Sequence, residues 1–247
     1  MNYAEIYHKD FFKEADGQQE WELGKLKYGD ALCAIAYAFG IESFEKVKEI
    51  VPFSGFGRDP QEDGLTAHEQ LERILKHKTR NPGGILEIGP GRGEVSISFG
   101  HLQCFVRTVE PSKETTDFWF PLTSHKFFQE DDPLNTYQIV IDNLPIHKAI
   151  EDSVALSAVH TVVMVESLEH ILEEDFTPAY QKIIEGLKRN CGRFIITNWL
   201  DYHPINIGDY ALPHVHCRLV DDALYDSFSK DAKTVVYRNG SHLVLDY

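Results

Sequence analysis

The chain has 247 residues, 43% of them hydrophobic and 26% charged, with 24 Lys and Arg against 39 Asp and Glu for a formal net charge of −15. The length suits one large domain, or a core domain plus a helical extension, and the composition argues against a disordered chain. The acid excess repels phosphate backbones and anionic lipid, which argues against a nucleic-acid partner or a membrane surface.

The N-terminus, MNYAEIYHKD, lacks the basic and apolar segments of a signal peptide, and the longest strongly apolar run, Ala31 to Phe39, is too short to span a bilayer. Cys33, Cys104, Cys191 and Cys217 form no CxxC pair and read as reduced thiols. A cytoplasmic protein is the expectation. Helices are predicted over Tyr28 to Phe39, Ser43 to Ile50 and Thr66 to His77, the last opened by Thr66 with Glu69 three residues on, a capping box. The loop between the second and third, Val51 to Gly64, holds three glycines and two prolines.

The turn-forming cluster Asn81-Pro82-Gly83-Gly84 divides the chain. Residues 1–80 are read as a helical cap that recognises substrate, and residues 81–247 as a cofactor-binding domain. Beyond the divide come seven short apolar runs: Gly84–Ile88, Cys104–Val109, Gln138–Ile141, Thr161–Val165, Arg193–Thr197, Thr234–Tyr237 and Leu243–Leu245. They are rich in Val and Ile with little polar alternation, as in strands covered on both faces. Phe176 to Arg189 is the clearest intervening helix, and Asp221 or Asp222 is placed to cap another. The last two runs face each other across Arg238-Asn239-Gly240-Ser241, where Asn-Gly signals a hairpin. The expectation is an α/β fold: a Rossmann-like, seven-stranded, mostly parallel sheet with a C-terminal antiparallel hairpin and an N-terminal helical extension.

The most informative motif is Ile85-Leu86-Glu87-Ile88-Gly89-Pro90-Gly91-Arg92-Gly93-Glu94, a strand running through a glycine-rich turn into a helix. Glycines admit a ligand close to the backbone, and the helix start offers unpaired N–H groups. The turn alone suits a dinucleotide as well as a nucleoside. Three acids sharpen it. Glu110 ends the second strand, where an acid can accept hydrogen bonds from ribose hydroxyls. Asp142 and Asn143 end the third, and Val165-Glu166 the fourth.

Two further stretches carry metal-ligand chemistry. Glu166-Ser167-Leu168-Glu169-His170 puts two carboxylates on one helical face with an imidazole beside them, and Pro213-His214-Val215-His216 follows downstream. Together they form a mixed oxygen and nitrogen set for Mg²⁺, Mn²⁺, Fe²⁺ or Zn²⁺, with His214 or His216 as the downstream ligand. The alternative is structural, the acid capping a helix and the histidine packing.

On these motifs the sequence resembles class I S-adenosylmethionine-dependent methyltransferases over residues 84–247. The resemblance implies that the Glu87, Gly89, Pro90, Gly91 and Gly93 turn wraps the methionine end of the cofactor. It implies that Glu110, followed by Pro111, holds the ribose diol. Asp142 would meet the adenine amino group, the Asn143 backbone the ring, and the Val165 carbonyl the methionine ammonium. A hydride-transfer enzyme is the weaker alternative for the glycine turn.

Glu-x-x-Glu-His with a later His also resembles the metal-dependent small-RNA 2′-O-methyltransferases, and ESLEH resembles the ubiquinone-pathway O-methyltransferases. Ile196-Thr197-Asn198 is similar to the former's strand-five ending without its proline. Cys217, Arg218 and Leu219 stand where its aromatics are expected. With the acidic charge, this carries over the metal and not the RNA. Metal ligands are then Glu166, Glu169, His170 and His216. Without a metal, His170, His203 or His214 is the candidate general base.

Trp21, Tyr28 and Phe56 either cover the cofactor or fill the helix–sheet interface, and Trp119 and Phe120 either flank the adenine or lie in the core. Asn198, Trp199, Asp201, Tyr202 and His203 follow strand five, where the resemblance places the acceptor. Glu130-Asp131-Asp132 reads as a solvated loop. The function expected is methyl transfer from S-adenosylmethionine to a small molecule, at oxygen and with a divalent cation. Metal-free N- or S-methylation, or a non-catalytic cofactor-binding regulator, is the alternative.

Overall fold

A computed structural model describes residues 34–50, 73–90, 93–101, 104–113, 116–117, 139–151, 156–165, 167–198, 206–207, 210–211, 220–239 and 242–247. The backbone is helical over 34–38 and in α1 (Phe44–Ile50), and again over 73–76. Then follow β1 (Gly84–Ile88), α2 (Glu94–His101), β2 (Val106–Val109), β3 (Ile139–Asp142), α3 (Ile146–Ala149) and β4 (Val159–Val165). A 3₁₀ turn (Leu168–His170) leads to α4 (Glu173–Asn190) and β5 (Arg193–Thr197). The short ribbon β6 (Asn206–Ile207) and β7 (Tyr210–Ala211) precedes α5 (Asp222–Asp231), β8 (Thr234–Asn239) and β9 (His242–Asp246). No helix among the described residues is long and apolar enough to cross a membrane.

The seven-stranded sheet has the order β3-β2-β1-β4-β5-β9-β8. Strands β1 to β5 are parallel, and β9 enters antiparallel to both β5 and β8. The expected α/β sheet with an antiparallel C-terminal hairpin is therefore present. The order in which successive strands are added reverses between β1 and β4, and that switch point opens a crevice at their carboxyl ends.

Alternation along the strands gives each face its own core. Leu86, Ile88, Met164, Phe194 and Ile196 pack with Ile183, Leu187 and Phe228 of α4 and α5. Ile85, Val106, Val163, Ile195 and Val244 pack with Phe99 of α2 and with Ala34, Phe39, Val47, Ile74 and Leu75. Phe39 meets Phe99 edge-on at 5.5 Å, worth about 0.5–1.5 kcal/mol beyond burial. The described part of the N-terminal extension thus covers one face of the sheet.

Several boundaries differ from expectation for physical reasons. Strand β2 begins at Val106, because the Cys104 N–H bonds back to Phe99 O at the end of α2. Helix α4 begins at Glu173, and Glu173, Glu174 and Asp175 in its first turn complement the positive end of its dipole. The β8–β9 ladder closes on the pair Asn239 and His242, so Asn239 belongs to the strand. Strand β3 is not covered on both faces: it is the sheet edge, with Val140 45% exposed. Asp221 is the cap of α5, accepting from Leu224 N–H at 2.8 Å.

Candidate functional site

The described residues at the carboxyl ends of β1 to β5 lie along this edge of the sheet. After β1, Gly89 takes φ +68° and Gly93 φ +78°, the left-handed region open to glycine. A Cβ on Gly89 would lie 2.5 Å from Ser167 Cβ. The same serine donates from Oγ to Ile88 O at 2.8 Å, so it ties the end of β1 to the turn after β4. Glu87 is buried on β1, and its carboxylate accepts from the Ser96 hydroxyl in the first turn of α2. Pro90 O accepts from Gly93 N–H at 2.8 Å, and Gly91 lies outside the described residues.

The tips of the first three strands are stitched together. Gly89 N–H reaches Val109 O at 3.0 Å, and Glu110 N–H reaches Asp142 O at 3.1 Å. Glu110 Oε1 accepts from Ser112 N–H at 3.0 Å, and its second oxygen takes no hydrogen bond among the described residues. Burial raises the Glu110 carboxyl above its ordinary value, partly offset by the Ser112 N–H and by the charge of the nearby His170 ring. Pro111 is exposed beside it. Asn143 Nδ2 donates to Glu110 O and to Thr116 Oγ1, both at 3.0 Å, which fixes the β2 tip against β3. Asp142 is half-buried, but one of its oxygens is committed to Arg107, whose Nη2 also holds Ala149 O at 2.9 Å.

Val165 ends β4 opposite Thr197 of β5. In the 3₁₀ turn that follows, Glu169 is 5% exposed, with Oε1 3.7 Å from His170 Nε2. Asn198, 1% exposed at the end of β5, donates from Nδ2 to Glu169 Oε2 at 2.6 Å. Burial first and then the Glu169 charge push the Tyr225 hydroxyl well above its usual range. Glu169 does not cap α4, whose N-cap is Leu172 without a side-chain bond.

The structure thus brings Glu87, Gly89, Pro90, Gly93, Glu110, Asp142, Asn143, Val165, Glu169 and His170 to the sheet's carboxyl edge. Gly91, Glu166, His203, His214 and His216 lie outside the described residues, as do Trp21, Tyr28, Phe56, Trp119, Phe120, Trp199, Asp201 and Tyr202. Among the described residues no group of three or more His, Cys, Asp or Glu could hold a metal ion. Ser96, Arg107, Thr116 and Ser167 were not singled out from sequence. Their partners are 9, 35, 27 and 79 positions away, so no local pattern marks them.

No protein-family model and no curated protein matches the chain. Among solved structures it is similar to TehB from Haemophilus influenzae, with 14% identity over 67% of this chain and 55% of that one, TM-score 0.40. The chain therefore spans about half the length of TehB. It is similar to a ribosomal protein L11 methylase from Lactobacillus delbrueckii subsp. bulgaricus, with 14% identity over 74% and 78% of the two chains, TM-score 0.43. It is also similar to magnesium protoporphyrin IX methyltransferase from Synechocystis, with 12% identity over 67% and 74%, TM-score 0.43. The strand order, not these likenesses, defines the fold.

Proposed function

We propose that this chain is an S-adenosylmethionine-dependent methyltransferase acting on a small molecule at oxygen, assisted by a divalent cation. One observation carries the cofactor assignment. A positive-φ glycine turn on β1 lies beside an acid-tipped β2 at the switch point of a sheet that ends in an antiparallel hairpin.

S-adenosylmethionine supplies an electrophilic methyl group. Glu110 accepts the ribose diol through the oxygen that Ser112 leaves open. The Gly89 to Gly93 turn admits the methionine portion against the backbone, with the Val165 carbonyl toward its ammonium. Asn143 offers its backbone to the adenine ring, and Asp142 offers the carboxylate oxygen that Arg107 does not hold.

The chemistry of the Glu169 and His170 donors suits a cation. Ligand atoms each about 2.0–2.2 Å from one ion lie roughly 3–4 Å apart, and Glu169 Oε1 and His170 Nε2 are separated by 3.7 Å. Glu166 and His216, or His214 in its place, complete the proposed set. A bound cation lowers the pKa of an acceptor hydroxyl. Without one, His170, His203 or His214 takes the acceptor's proton, and N- or S-methylation is the reading. Residues 1–80 serve as the recognition cap and 81–247 as the catalytic domain.

A thermal melt of chelator-treated protein with S-adenosylhomocysteine tests both levels. A ligand at a hundred times its Kd adds about 2.7 kcal/mol, which at this chain length raises Tm by roughly 5–10 °C. No rise overturns the cofactor assignment, and a rise with NADH instead favours hydride transfer. A further cation-specific rise, lost in Glu166→Ala and His216→Ala, supports the metal. Its absence returns the chain to metal-free transfer.

A further inference from the structure

Arg107 lies inside β2, across from Val140 of β3, and Asp142 stands two residues further along that strand. The two side chains therefore share one face of the sheet as diagonal neighbours, within reach of a long side chain. Arg107 Nε donates to Asp142 Oδ2, and Arg107 Nη2 donates to Ala149 O at 2.9 Å. Ala149 ends α3, whose last carbonyls have no partner within the helix. One guanidinium thus ties the tip of β3 to the end of the helix that follows and brackets the turn between them.

A guanidinium held at two points has a fixed plane, and the carboxylate bonded to it has one oxygen taken and one left. Oδ1 takes no hydrogen bond among the described residues. The Asp142 side chain is 21% exposed, so it is not sealed in the core. The next residue is held as well, since Asn143 Nδ2 donates to Glu110 O and to Thr116 Oγ1. An ionised carboxylate only accepts hydrogen bonds. A fixed oxygen at the tip of β3 therefore selects a base that carries a donor, such as the 6-amino group of a purine. Lysine at position 107 would not do this, since a point charge lacks the planar fork that serves two acceptors at set angles.

Resting on the adenine contact proposed above, we propose that Arg107 is a positioning residue that makes Asp142 a fixed acceptor and so sets the choice of purine. It acts through Asp142. The test is calorimetry with S-adenosylhomocysteine and with its analogue lacking the 6-amino group. Wild type is expected to prefer S-adenosylhomocysteine by about 10–100-fold, the worth of one hydrogen bond to a charged group. In Asp142→Asn, Arg107 keeps the amide oxygen on its own N–H and turns the amide NH₂ toward the base, donor against donor. The preference is expected to vanish. Adding Arg107→Met frees the amide to turn, and a preference of roughly 2–10-fold is expected to return. A merely structural arginine would not restore selectivity on removal.

An Asp142→Asn protein that keeps the wild-type preference, or a double variant that regains none, overturns the positioning role and leaves the cofactor assignment standing. Wild type that binds both ligands equally overturns the adenine contact and the proposal with it. Wild type that binds neither overturns the cofactor assignment as well. Should the variants not fold, wild-type protein labelled with ¹⁵N gives the second readout. S-adenosylhomocysteine is expected to shift the Arg107 Nε–H resonance more than the analogue does, while that of Arg193, bonded to Asp246, stays in place. An Arg107 resonance that responds alike to both ligands overturns the proposal.

Discussion

At the amino end of the sheet, Arg193 on β5 grips Asp246 on β9 through two bonds of 2.6 Å. The same guanidinium reaches back to Tyr37 O and Ala38 O, and Arg80 adds a bond from Nη1 to Asp246 at 3.2 Å and one from Nη2 to Cys191 O at 3.3 Å. At the carboxyl end, Asp142 is paired with Arg107, but three other carboxylates are held by neutral partners: Ser96 on Glu87, Ser112 on Glu110 and Asn198 on Glu169. The effect shows in the acids themselves. Burial tends to raise Asp246, yet the bonds from Arg193 and Arg80 more than offset it and hold this carboxyl below its ordinary value. Burial raises Glu110 and is not fully offset. One edge spends its charges on the fold, and the other keeps carboxylates in a state that a ligand can improve.

Substitutions at the two edges should therefore separate stability from binding. The largest effect is expected from Asp246→Ala, which leaves a buried guanidinium without its carboxylate. Breaking such a pair costs about 3–5 kcal/mol. Urea unfolding followed by circular dichroism reads it, and the Kd for S-adenosylhomocysteine should stay near wild type. A tenfold loss of affinity with unchanged stability would erase the distinction between the edges.

Glu110→Gln is the converse. Losing charge-assisted bonds to the ribose should weaken S-adenosylhomocysteine by roughly 10–100-fold, measured by calorimetry. The raised carboxyl means the folded state holds its proton more tightly than the unfolded one does, so ionisation opposes folding. That cost appears as pH rises through the unfolded value and is complete above the folded one. The apo variant should accordingly melt no lower than wild type at neutral pH.

Gly89→Ala should act on both quantities, because a left-handed φ and a 2.5 Å approach to Ser167 strain the turn by about 1–3 kcal/mol. A variant with unchanged melting and affinity would show that the turn adapts. Asp221→Ala, at the N-cap of α5, should cost about 1 kcal/mol through the lost cap and leave binding alone. The smallest effect concerns pH. Since Asp246 is lowered on folding, its contribution is present above the ordinary carboxylate value and fades as pH falls through the folded one. Acid unfolding of Arg193→Met should be less steep below pH 4 than that of wild type.

How far the chain could be read in advance depended on the range of each signal. The limits of β1 and β5 were legible because buried parallel strands are continuous apolar runs bounded by glycine or polar residues, as in Gly84–Ile88 and Arg193–Thr197. The positive-φ turn and Glu110 were legible because they follow those runs directly. Arg107 gave no such notice. It sits inside a strand, and its claim on Asp142 exists only once β2 and β3 pair.

The sequence by itself determined the α/β alternation, the antiparallel ending and which polar residues end the strands, since local periodicity and turn chemistry specify those. Only the tertiary structure decided which polar groups meet there. Ser167 reaches β1, Asn198 takes Glu169, and Arg193 closes on Asp246, across 79, 29 and 53 positions. Burial forces each of these groups to find a partner, and strand order, not neighbourhood along the chain, supplies it.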